Sequence, residues 1–322
     1  MSLDADTVLD RRRLRRKLSF WRAAAFLALA AVILALTVPS LRRATPGSDQ
    51  IARFTISGLI TNDREERETL ERIAKADRVK AVILYIDSPG GTTTGAEALY
   101  GAIRRVAEKK PVVGVVGSMA ASGAYVAALG ADRIVAQGNS LIGSIGVLVQ
   151  WPEFGDLLKN IGVSVYEVKS SPLKAAPNPF EPPTPEARAA VESLIRDSYD
   201  WFVALVRERR PLDPENQDLV TNGQIFTGRQ ALHLKLVDQL GSERDAVRWL
   251  SETRGIKADL PIRNWKKQTN SWRGLSFAQK ASGAVLRLAG LERLAALVER
   301  PAAPAFALDG LLAVWQPPAS ER

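Results

Sequence analysis

The stretch Val79-Lys80-Ala81-Val82-Ile83-Leu84-Tyr85-Ile86, followed by Asp87-Ser88-Pro89-Gly90-Gly91, decides the fold. The octet is apolar and rich in β-branched residues apart from Lys80, as a strand covered on both faces is. The Asp-Ser-Pro-Gly-Gly run breaks it. Thr94–Ala107 then reads as a helix, and Pro111–Gly117 (PVVGVVG) as a second buried strand. Strand, helix and parallel strand in that order form a βαβ unit, which is right-handed almost by rule. Upstream, Ile51–Ser57 is a short β-like run, and Arg64–Arg78 carries Leu70, Ile73 and Ala74 at helical spacing. Downstream, Arg133–Ala136, Ile145–Val149 and Val163–Val168 are strand-like. The pattern predicts an α/β fold around a mostly parallel sheet.

Lys169–Thr184 reads as a loop with five prolines. Pro185–Arg209 is a long helical stretch with an apolar stripe of Val191, Leu194, Ile195, Phe202, Leu205 and Val206, and Pro211 ends it. Shorter helices fit Arg229–Lys235 and Glu243–Thr253. Ser276–Arg300 is amphipathic and helical in pattern, and 301–322 is rich in Pro and Ala with one apolar patch, Leu311 to Trp315.

The chain has 322 residues, 44 basic and 35 acidic side chains, one histidine and no cysteine. Without cysteine there is no disulfide framework, thiolate zinc site or cysteine nucleophile. One histidine excludes a multi-histidine metal centre and leaves a Ser-His-Asp triad dependent on His233. The net charge of +9 first suggests an acidic partner such as nucleic acid. Its distribution tells against that. Residues 1–43 hold nine basic side chains against three acidic ones, so most of the excess lies in a short N-terminal tract.

That tract flanks an uncharged run, Ala23 to Val38, which reaches nineteen residues when extended to Leu41. A membrane span needs about 20 residues, and about 17 suffice. The expected organisation is a basic cytoplasmic tail (1–22), a transmembrane anchor (23–41) and a linker (42–50). A catalytic domain (51–255) and a C-terminal extension (256–322) follow. The positive-inside rule puts the tail in the cytoplasm and the rest across the membrane. A cleaved signal peptide is the competing reading, but Arg42 and Arg43 follow the run with no clean small-x-small site. The lack of cysteine fits an oxidising compartment.

Gly90-Gly-Thr-Thr-Thr-Gly95 follows a strand and opens a helix, but Ala96 and Glu97 stand where a phosphate loop needs Lys and Ser/Thr. A strand–Pro-Gly-Gly–helix turn can instead offer backbone N–H groups to an oxyanion; a plain tight turn is the other reading. Gly117-Ser-Met-Ala-Ala-Ser-Gly123 also lies between a strand and a helix. Its small residues let a substrate backbone approach Ser122, with the Gly123 N–H beside it, as in a nucleophile elbow; close helix–sheet packing explains the spacing equally. A serine nucleophile needs a base. His233 sits in an ordinary helical context. Among the lysines, Lys174 has the most suggestive surroundings, between Pro172-Leu173 and Ala175-Ala176-Pro177 with no carboxylate near in sequence. A lysine can act as a base only when neutral, a state that burial favours.

Six segments, in order, resemble the signal peptide peptidase A (SppA) family of membrane-bound serine peptidases. They are Asp87–Gly91, Gly117–Gly123, Gly143-Ser-Ile-Gly146-Val147, Lys174 with Pro179-Phe180, Asn222–Ala231 and Leu236–Gly241. The resemblance spans about residues 51–255. It implies a Ser–Lys dyad of Ser122 as nucleophile and Lys174 as general base, with Ser144 orienting the amine. It also implies oxyanion-hole N–H groups from Gly91 and Gly123, a ClpP/crotonase-like α/β spiral, and no metal or cofactor. Such chains would form membrane-tethered homo-oligomeric rings in the bacterial inner membrane, with active sites between neighbours on the extracytoplasmic side. Remnant signal peptides would be the substrates. The chain departs from the family at Ala124, where a second glycine is common, and at Ser171, also commonly glycine. Two further readings stand beside this one: a crotonase-like acyl-CoA enzyme, and a non-catalytic membrane scaffold.

Overall fold

The octet 79–86 forms the middle of a sheet in the computed structural model, which describes residue 21, residues 48–265 and residues 312–314. The chain divides into residues 1–48 and 49–322, and the sheet and its helices lie in the second part. The strands are β1 (Gln50–Ile60), β2 (Val79–Thr92), β3 (Val112–Ala121), β4 (Arg133–Ala136), β5 (Leu141–Gly143), β6 (Ile225–Thr227), β7 (Gln239–Leu240), β8 (Ile262–Asn264) and β9 (Leu312–Val314). The helices are α1 (Arg64–Lys75), α2 (Thr93–Ala107), α3 (Gly123–Leu129), α4 (Gly155–Asn160), α5 (Pro185–Arg209), α6 (Gln217–Thr221), α7 (Gly228–His233) and α8 (Glu243–Arg254). The sheet order is β6-β5-β3-β2-β1-β8; β4 also pairs with β3 and with β7, and β9 pairs with β2. All of these pairings are parallel except β5/β6 and β2/β9.

Both faces of the sheet are covered, which is why β2 carries apolar residues without alternation. Val82, Leu84 and Ile86 belong to the larger core, with α1, α2, α3 and the C-terminal half of α5. Ala81 and Ile83 face the other way and pack with Val113, Val115 and Val135 against Ala246 and Leu250 of α8. The expected elements 51–57, 64–78, 79–86, 94–107, 111–117, 133–136, 185–209, 229–235 and 243–253 all find counterparts within a few residues.

Three expectations need correction. β2 does not break at Asp87 but runs to Thr92. Pro89 is accommodated because the register with β1 jumps from Ser57↔Asp87 to Leu59↔Gly90, so the residue that lacks an N–H sits in the irregularity. No strand forms over Ile145–Val149; the chain turns at Gly143 (φ 106°) and Ser144 (φ 53°), and the strand is β5, just before. Val163–Val168 is not a strand either, since it meets no sheet edge: Val163 and Val165 are exposed, as are Tyr166 (91%) and Val168 (104%). The stripe on α5 also buries only at its C-terminal end, through Phe202, Val203, Leu205 and Val206, while Leu194 is exposed.

Among the described residues no helix is long and apolar enough to cross a membrane. The expected anchor at 23–41 and the amphipathic stretch 276–300 lie outside the described residues.

The Leu236–Gly241 motif has a structural role. Asp238 accepts the Ile134 N–H at 2.7 Å and pairs with the buried Arg210 guanidinium at 3.0 Å; Arg210 also donates to the Lys235 carbonyl at 2.6 Å. Replacing Asp238 by Ala strands a buried cation and an amide. The expected loss is about 3 kcal/mol, read as a lower urea midpoint with an unchanged slope.

Candidate active site

Ser122 lies at the junction of β3 and α3, with φ 53° and ψ −119°. A non-glycine residue at positive φ is uncommon and strained, and such strain collects at functional sites. Two features hold it. The Ser122 N–H donates to the Gly143 carbonyl at 2.8 Å, continuing the pairing of Ala121 with Gly143. After it, every residue of α3 is buried, so the helix cannot rotate to relax the turn. Ser122 is 1% exposed, and its hydroxyl has one long contact, to the Gly146 carbonyl at 3.4 Å. Gly123 occupies the first turn of α3, where a backbone N–H has no intrahelical acceptor.

Ser144 also has positive φ, and its N–H donates to the Gln224 carbonyl at 2.8 Å. The Asn222–Ala231 motif supports this turn. The Asn222 side chain accepts the Gln224 N–H at 2.9 Å, β6 pairs with β5 (Gly143↔Ile225), and Thr227 and Gln230 form a capping box on α7. Ser144, Gly146, Leu148, Tyr199 and Thr221 line a cavity of about 380 Å³.

Gly91 stands at the end of β2, level with this junction: β2 and β3 run parallel with Ser88 opposite Ala120, so Gly91 and Ser122 emerge at the same end of the sheet. A Cβ on Gly91 would lie 1.8 Å from the Ile60 carbonyl oxygen, so only glycine fits. The buried Ser88 hydroxyl fixes the turn, donating to the Gly58 carbonyl at 2.6 Å and accepting the Gly90 N–H at 3.1 Å. Its role was not legible in the sequence, where Ser88 reads only as part of a strand-breaking run.

Lys174 makes no hydrogen bond to Ser122. It is exposed, its backbone N–H donates to the Ser171 carbonyl at 3.1 Å, and its ammonium has no hydrogen-bond or ion-pair partner among the described residues. The segment that carries it is nonetheless folded. Lys169 pairs with Glu167 at 2.5 Å and Glu181 at 3.3 Å, and Asn178, 7% exposed, donates to Glu181 at 2.9 Å. Hydrogen bonding to Asn178 and then to Lys169 holds the Glu181 carboxyl below its usual range, and the bond to Glu167 raises the Lys169 amine. Phe154, Leu157, Ile161, Leu173 and Phe180 of the same excursion are exposed apolar side chains. His233 is exposed at the end of α7 and takes no part. A second cavity, of about 850 Å³, lies near the N-terminus of α8; Arg53, Tyr85, Gln137 and Trp265 contribute to its lining, and it holds none of the expected site residues.

Comparison with known proteins bears on the family and the fold. Residues 104–257 match the model of peptidase family S49, and residues 62–142 match that of Clp protease, so the α/β sheet is ClpP-like. A Synechocystis protein named as a protease is 35% identical over 65% of this chain and 76% of its own length. One from Methanocaldococcus jannaschii, also named as a protease, is 33% identical over 71% of this chain and 75% of its own. A protein of Enterococcus faecium named for signal peptide peptidase SppA is 29% identical over 71% and 72%.

The Ile60 contact gives a direct test of the site's scaffold. Gly91→Ala is expected to cost at least about 3 kcal/mol, seen as a lowered thermal midpoint. A Gly95→Ala control serves poorly, because its Cβ would also crowd backbone, at 2.6 Å from Thr61 C. Gly58→Ala, with open space around the Cβ but φ +69°, should cost only about 1 kcal/mol.

Proposed function

The chain belongs to peptidase family S49, the family of signal peptide peptidase SppA, and we propose that within it the protein is a serine endopeptidase working through Ser122 and Lys174. The observation that carries this is the Ser122 turn: a strained, buried serine between a strand and a fully buried helix, flanked by small residues. Such a turn fixes the hydroxyl at the end of a strand and shields it from bulk water.

Lys174 from a neighbouring copy completes the dyad. Two observations support an inter-subunit site: among the described residues the Ser122 hydroxyl has no titratable side chain as a hydrogen-bond partner, and Lys174 stands exposed on an excursion covered with apolar side chains. In the reaction the neutral amine takes the Ser122 proton as Oγ attacks the scissile carbonyl. N–H groups of Gly91 and Gly123 stabilise the oxyanion, each donor contributing roughly 3–4 kcal/mol in serine proteases. The ammonium then protonates the leaving amine, and a water activated by the same amine hydrolyses the ester. Ser144 orients the amine. The substrates are remnant signal peptides and other small or unfolded peptides. The location is a bacterial plasma membrane, with the catalytic domain on its extracytoplasmic side.

Ser122→Ala and Lys174→Ala should each abolish peptide hydrolysis while the fold survives. Co-assembly of the two inactive variants should restore roughly a quarter of the sites, since each competent site takes its serine from one copy and its lysine from the next. Retention of near-full activity by either variant alone removes the dyad; no recovery on mixing removes the shared site. Because only the neutral amine is a base, the wild-type rate should rise from mildly acidic to mildly alkaline pH. A flat profile over that range contradicts lysine as the base.

A further inference from the structure

Lys174 lies on the long excursion between Gly155 and Ala187, both of which are buried. Between those two, one residue is buried, and it is polar: Asn178, four positions beyond Lys174 and 7% exposed. A buried amide costs free energy unless both of its ends are bonded. Here they are. The Asn178 Oδ1 accepts the Phe180 N–H at 2.9 Å, and Nδ2 donates to Glu181 Oε1 at 2.9 Å. The same Glu181 oxygen accepts from Lys169 at 3.3 Å, which closes 169–181 into a loop. The turn at Asn178 is also latched to the start of the excursion. The Phe154 N–H donates to the Pro179 carbonyl at 2.7 Å, and a Cβ on Gly155 would lie 2.6 Å from the Phe180 carbonyl oxygen.

Inside the loop the Lys174 N–H donates to the Ser171 carbonyl at 3.1 Å, the Ala176 N–H donates to the Leu173 carbonyl at 3.3 Å, and Ala175 holds φ 58°. A strained alanine directly after the lysine persists only where its surroundings over-determine it. Apolar packing within the chain does not supply that constraint, because Leu173 and Phe180 are exposed. An exposed ion pair such as Lys169–Glu181 contributes little alone. The buried amide remains. We infer that Asn178 is a positioning residue for Lys174: it shapes, within one chain, the loop that presents the amine. The inference rests on Lys174 as general base. A misplacement of about 1 Å at a reacting group can cost on the order of a hundredfold in rate, so a loop held by one amide governs kcat.

The test uses the full chain throughout. Asn178→Ala removes both bonds and should lower kcat for an unstructured peptide by about tenfold or more, with KM within about twofold. Asn178→Asp keeps the acceptor for Phe180 but sets a second carboxylate against Glu181, and should also lose activity. Adding Glu181→Gln reverses the polarity of the contact, with the new amide donating to the new carboxylate, and should recover most of kcat. Such recovery isolates the 178–181 contact from the general effect of either change. Hydrogen exchange is the second measurement: the amides of 171–180 should exchange at least about tenfold faster in Asn178→Ala than in the wild type. An unchanged kcat in Asn178→Ala, a loss confined to KM, or no recovery in the double variant overturns the inference. If Lys174→Ala retains activity, the dyad reading fails instead, and the exchange comparison still decides whether Asn178 holds the loop. Equal exchange rates overturn the inference.

Discussion

The bond from the Ser122 amide to the Gly143 carbonyl joins two segments that each contain an unfavourable backbone conformation. On one side is Ser122 at positive φ; on the other are Gly143 and Ser144, both also at positive φ. Each strained non-glycine residue costs on the order of 1–3 kcal/mol and persists only where its surroundings over-determine it. Here they do. β5, only three residues long, is clamped between β3 and β6, and α3 is buried along its whole length. The turn that presents the serine is therefore a property of the core rather than of a surface loop.

Much of the molecule consists of support for that turn. Asn222 and Gln224 hold Ser144, the Ser88 hydroxyl holds the Gly90 turn, and Asp238 with Arg210 ties β4 to the segment after α7. The Tyr125 phenol, fully buried in α3, donates to the Leu236 carbonyl at 2.7 Å, and burial pushes its pKa far up so that it stays a neutral donor. Several segments by which the chain resembles its family are scaffolding of this kind. A small displacement at any of them is passed to the serine through a close-packed interior.

The parts of the fold legible in the sequence are those whose signal is local. Val79–Ile86, apart from Lys80, and Val112–Gly117 announce buried parallel strands by apolar runs without alternation, and the helices announce themselves by spacing. What was not legible depends on partners distant in sequence. The alternation Val163-Ser-Val-Tyr-Glu-Val168 is a strand pattern, but a strand needs an edge, and none of the sheet's edges is offered to it. The break after Gly143 depends on contacts with Gln224 and Phe226, about eighty residues away. Of the site, the strand–helix junction at Ser122 was legible from its small residues, but close helix–sheet packing explains those residues equally, and the role of Ser122 comes from the family resemblance. The exposure of Lys174 was not, because the apolar residues around it in sequence look the same whether they pack on their own domain or on another copy.

The same unpaired segment bears on how the protein stays dispersed in solution. A run with three valines and a tyrosine, extended and open to solvent, is a template for indiscriminate strand pairing between chains. Glu167 interrupts it, Lys169 follows at once, and the two form an ion pair. Charges placed within and beside a sticky stretch act as gatekeepers, penalising stacked copies in which like charges would align. The segment can thus remain apolar without polymerising with its own kind.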